Sequence, residues 1–134
     1  MHRVLAATVA TISVSVALAF PASADPGPPF IDHVEWAKWG DLSSLRVFPT
    51  QSGRLAAGQL GTDAQADGAW GEVLALTSDA DMTGMRAQFI CHWQLAEFAE
   101  PGKDSWNLEP WRPEVDDNEM LASGCNPGGT VEPF

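Results

Sequence analysis

GMRAQFICHWQLAEF, residues 84–98, decides the fold because it fits two periods at once. Phe89, Cys91, Trp93 and Leu95 alternate as in a strand, whereas Met85, Phe89, Trp93 and Ala96 recur as on one face of a helix. Its Met, Arg, Ala, Gln, Leu and Glu residues have high helix propensity, so we expect a helix from about Gly84 to Phe98. The stretch also sets Cys91 beside His92. That pair has three readings: a nucleophile with its base, two metal ligands, or half of a disulfide next to a bystander.

Working outward, IDHVEWAKW (residues 31–39) alternates without a cleanly apolar face and reads as a strand. Gly40-Asp41 marks a turn, and Ser44 to Phe48 reads as a second strand ending at Pro49, so the two form a hairpin or neighbouring strands. Ser52 is a candidate cap for a short helix through Arg54, Leu55 and Ala57. Trp70, Val73, Leu74 and Thr77 fall at helical spacing, which predicts a helix over 68–77 with Asp67 as its N-cap. Downstream, SWNLEPWRP (residues 105–113) cannot be helical with Pro110 and Pro113 in it, and is expected as an edge strand or an ordered loop. DDNEMLAS (residues 116–123) predicts a short capped helix with Met120 and Leu121 facing in. The expected fold class is α+β: a small antiparallel sheet, two to four helices packed on one side, and one disulfide.

The chain begins MHRVLAATVATISVSVALAFPASADPG, an Arg3-bearing start, an uncharged apolar run from Val4 to Phe20, and small residues at Ala22 and Ala24. This order predicts a signal peptide over 1–24, cleaved between Ala24 and Asp25. Residues 25–134 then suffice for one domain with one core. Within it, 25–30 is a proline-rich leader and 126–134 a glycine- and proline-rich tail expected to be mobile. Removing Arg3 from the 7 basic side chains leaves 6 against 18 acidic ones, a net charge of −12 for the exported part. Such a field repels phosphate backbones and anionic lipid, which argues against nucleic acid as a partner and against membrane contact after cleavage.

Two cysteines, Cys91 and Cys125, remain in a chain sent to an oxidising compartment, and we expect them to pair. An oxidised Cys91 is neither a thiolate nucleophile for His92 nor a zinc ligand. Only His33 and His92 survive cleavage, so no histidine cluster and no metal site is expected, and no cofactor is implied. The run 116–119 lacks the spacing of a calcium loop and reads as a helix cap. Carboxylates near tryptophans, Asp104 and Glu109 among them, leave acid–base chemistry open. Arg112 is placed to pair with Glu109 or to stack on a tryptophan, making EPWRP a structural strap or a rigid recognition surface.

EWAKWG, SLRVFPT, QFICH, SWNLEPWRP and the closing CNP together resemble the domain of unknown function 2599 family of small secreted actinobacterial proteins. The resemblance spans essentially the whole domain but implies no reaction, mechanism or cofactor. The sequence points first to a secreted, non-catalytic binding or interaction module. We expect it to be monomeric in the medium or cell envelope and to meet a protein or cell-wall partner. Its candidate surface is His92, Trp93, Trp106, Glu109, Trp111 and Arg112. The alternative is a small secreted hydrolase or toxin using His92 with Glu109 or Asp104.

Overall fold

The computed structural model describes residues 9–18 and 26–129. The cleavage site expected between Ala24 and Asp25 lies outside the described residues, as do residues 130–134 of the tail. From residue 31 the chain forms strand β1 (Ile31–Trp39) and strand β2 (Leu42–Pro49), joined by the two-residue turn Gly40-Asp41. Gly40 adopts φ +56°, the left-handed conformation that tight hairpin turns require of their first central residue. Helix α1 (Gln51–Ala57), helix α2 (Asp63–Leu76), a 3₁₀ turn at Ser78–Ala80 and helix α3 (Met85–Ala99) follow. Strand β3 (Trp106–Leu108) and helix α4 (Asp117–Ala122) complete the domain.

The sheet is antiparallel in the order β1-β2-β3, with Trp36 opposite Leu45, and with Leu45 and Val47 opposite Leu108 and Trp106. These four partners of β2 and β3 are fully buried and make the floor of the core. The helices cover that floor from one side, so the α+β expectation, with helices on one face and one disulfide, describes the chain as it folds. Above the floor sits an aromatic cluster. Phe89 lies 5.5 Å from Trp70 and 6.0 Å from Trp106, and Trp93 lies 6.1 Å from Trp106 and 5.6 Å from Phe30, mostly edge to face.

Residues 84–98 are helical, as their composition predicts, and the double period has a physical cause. Helix α3 is central: Met85, Phe89, Trp93 and Ala96 face the core, while Gln88 and His92 turn toward β3 and Cys91 toward α4. A helix surrounded on several sides is apolar over more than one stripe, and strand-like alternation then appears within it. Cys91 and Cys125 form the expected disulfide, with Cα atoms 5.6 Å apart. It pins α4 to α3 through a small separate cluster in which Met120, Leu95 and Val115 also take part.

Three local expectations are corrected. Helix α1 is capped by Thr50, whose hydroxyl accepts from Gly53 N at 2.9 Å, because Ser52 Oγ is engaged with Gly27 O. Helix α2 starts at Asp63 rather than Gly68, since Ala66 and Ala69 extend the buried stripe of Trp70 and Val73 backwards. Asp67, expected as its cap, instead pairs with Arg86 across the surface. In α4, Met120 is buried, but Leu121 points outward, because one turn beside a single neighbouring helix hides only one side chain.

Candidate functional site

The EPWRP segment folds as a strap. Beyond β3, Glu109 is fully buried and Arg112 nearly so. Arg112 donates to Glu109 Oε1 from Nη2 at 3.2 Å and from Nε at 3.4 Å, and Ser44 Oγ donates to Glu109 Oε2 at 3.4 Å. The guanidinium also donates through Nη1 to Pro127 O at 3.2 Å and Gly129 O at 2.9 Å, and its carbon stands 4.5 Å from the Trp111 ring centroid. Gln88 completes the cluster with both arms of its amide, donating to Glu109 O at 2.9 Å and accepting from Glu109 N at 2.8 Å. Trp111 is half-buried, its indole N–H donating to Ser43 O at 3.0 Å. Residues 126–129 of the tail are therefore tied into the domain through Arg112.

His92 lies beneath β3. Its Nε2 is 2.9 Å from Asn107 O, and because a carbonyl only accepts, that nitrogen carries the proton. Burial, only partly opposed by this hydrogen bond, lowers its pKa from 6.5 to about 4, with Lys103 and Arg112 adding smaller repulsive contributions. His92 is thus a neutral, fixed ring bonded to the main chain through Asn107 O. Trp93 and Trp106 are core side chains. Five of the six residues expected to form a surface, namely His92, Trp93, Trp106, Glu109 and Arg112, are interior, and Trp111 alone retains partial exposure.

Asp104 is exposed and sits at a shallow depression of about 490 Å³ with Asp32, His33, Phe48 and Arg54. There His33, not His92, is the nearby imidazole. It stacks on Phe48 with centroids 4.1 Å apart, and its Nδ1 is 2.6 Å from Asp32 Oδ2. Among the described residues, no three His, Cys, Asp or Glu side chains converge in a way that could hold a metal ion.

The surface aromatics that the sequence reading passed over are on β1. Trp36 is 40% exposed and Trp39 59%, the largest exposures of any described tryptophan. Trp36 springs from the helix-facing side of the strand, near its rim, where its indole N–H donates to Thr77 Oγ1 at 3.2 Å. Beside it runs a groove of about 330 Å³, bordered by Met82, Pro110, Lys38 and Asp79. The mixed faces of IDHVEWAKW were the available signal: an edge strand buries little of either face.

Among described residues, no helix is long and apolar enough to cross a membrane, which together with the disulfide is compatible with an extracytoplasmic location. No solved structure matches the chain. An uncharacterized protein of Mycobacterium tuberculosis (strain ATCC 25618 / H37Rv) is 60% identical over 140 residues, covering 96% of this chain and 93% of its own. An uncharacterized protein of Mycobacterium bovis has the same identity and coverage. One of Mycobacterium leprae is 53% identical over 100 residues, covering 75% of this chain and 80% of its own. The family described as Protein of unknown function (DUF2599) matches residues 31–128, the whole span from β1 to the turns after α4, and the chain belongs to that family.

Proposed function

We propose that the protein is an exported, non-catalytic binding module whose contact surface is β1. The observation that carries this reading is the pair Trp36 and Trp39, held open to solvent on a nine-residue edge strand while the other four tryptophans are spent on the core or the strap. Large rigid aromatic faces at low conformational cost are what binding surfaces use. The partner is a protein or a cell-wall component, met after removal of residues 1–24 by a monomer. In a pull-down from isolated cell wall and culture supernatant, a Trp36→Ala, Trp39→Ala double variant should lose the captured partner while keeping its circular dichroism. Equal capture by both proteins sinks the reading. Export is tested separately: the protein recovered from culture medium should have Asp25 as its first residue by intact mass.

The hydrolase alternative keeps one supporting observation, which moves it from His92 to His33. An imidazole oriented by Asp32 and sharing a depression with Asp104 has the geometry of a general base with an acid nearby. His33→Ala would then abolish hydrolysis of a chromogenic ester or glycoside panel. No turnover of that panel by the unsubstituted protein rejects the alternative.

A further inference from the structure

We propose that the groove beside Trp36 binds a neutral saccharide chain, with Trp36 as its stacking platform. The inference rests on β1 being the contact surface. Because the indole N–H of Trp36 is already spent on Thr77 Oγ1, the part of the ring left open offers the ligand only an apolar face, and the ring cannot swing away without losing that bond. Met82, itself 40% exposed, and Pro110 extend the apolar wall. At the same groove stand one cation, Lys38, one anion, Asp79, and one hydroxyl residue, Ser43.

This mixture discriminates among ligand classes. A polyanion, whether nucleic acid or acidic glycan, meets a chain of net charge −11. A cationic peptide segment finds Asp79 but also Lys38, so the groove has no local excess of negative charge to hold it. A purely apolar segment would strip water from Lys38 and Asp79 and return no hydrogen bond. A pyranose ring satisfies every wall: its C–H face lies on the indole and against Met82, while its hydroxyls both donate and accept at the edge. Lys38, a donor only, and Asp79, an acceptor only, are each completed by the same hydroxyl chemistry. The volume, about 330 Å³, lies at the small end of ligand sites and suits a short stretch of chain laid along the strand.

The test is titration of the full protein with maltoheptaose, cellohexaose and chitohexaose, followed by tryptophan emission and calorimetry. At least one should bind with a Kd of about 0.1–1 mM and perturb the emission. Trp36→Ala should weaken that binding at least ~10-fold, and Trp36→Phe, which keeps a ring face, should stay within about 3-fold. Leu60→Ser, on the loop between α1 and α2, should leave it unchanged. Saccharide binding that survives Trp36→Ala overturns the proposal, as does displacement by pentalysine. If none of the three saccharides binds while the double tryptophan variant still loses its partner in the pull-down, the saccharide falls and the β1 surface stands. If capture also survives the double variant, both fall.

Discussion

Arg112 has acceptors on both sides of the strap: the Glu109 carboxylate within its own turn, and the carbonyls of Pro127 and Gly129 across from it. A guanidinium is suited to this because its planar fork can address separate partners while one face lies against an aromatic ring, which Trp111 supplies. Truncation to alanine would take one charged partner from a carboxylate with no exposure and the donor from the carbonyls of Pro127 and Gly129, so Arg112→Ala should cost about 3–5 kcal/mol in urea unfolding. A Glu109→Gln, Arg112→Met double variant should lose less than the sum of its single changes, since it removes both charges together. That Arg112 would meet Glu109 or a tryptophan was readable from their closeness in the segment, and the fold makes both contacts. The burial of Glu109 and Arg112 was not readable, because it depends on Ser44 and Gln88, 65 and 21 residues from Glu109 in the chain.

Elements of this fold were legible where their own side chains carry the pattern, and misread where a neighbour supplies the reason. The hairpin, α3 and α4 follow from alternation, propensity and an Asp116 cap that accepts from Glu119 N at 2.8 Å. The start of α2 was missed because alanine fills its buried stripe, and alanine reports burial weakly in a sequence. Trp36 and Trp39 were passed over for a similar reason: six tryptophans look alike until the sheet order makes β1 an edge. Two contacts between elements give tests. Helix α1 lies so close to the leader that a Cβ at Gly53 would meet the Phe30 carbonyl, and Gly53→Ala should destabilise the domain by about 1–3 kcal/mol in the same unfolding assay. The disulfide holds the small Met120 cluster, which is separate from the main core. A 34-residue separation between the cysteines corresponds to about 3–4 kcal/mol of chain entropy. Reduction should therefore lower the unfolding midpoint, and it should speed amide exchange in 113–125 before it speeds exchange in the buried turns of α3.

At the scale of the whole molecule, two electrostatic trends oppose each other as pH falls. The chain carries a net charge of −11, and its self-repulsion weakens as protons are taken up, which on its own favours the folded state. His92 acts in the other direction. Its folded pKa is lowered, chiefly by burial, from 6.5 to about 4, so between those values the unfolded chain binds a proton that the folded one refuses. The stabilisation is therefore complete above about pH 6.5 and is lost as pH falls toward 4, by about 2 kcal/mol at pH 5 and about 3 kcal/mol at the limit. Surface repulsion is spread over many charges and screened beyond about 8 Å at physiological ionic strength, whereas the His92 contribution is local and shielded from salt. His92 should win: urea midpoints measured at 0.15 M salt should fall from pH 7.5 to pH 5. In His92→Gln, which can still donate toward Asn107 O but does not titrate, the slope should flatten or change sign. A slope that persists undiminished in that variant would assign the acid sensitivity to other groups and remove His92 from the account of how this domain responds to pH.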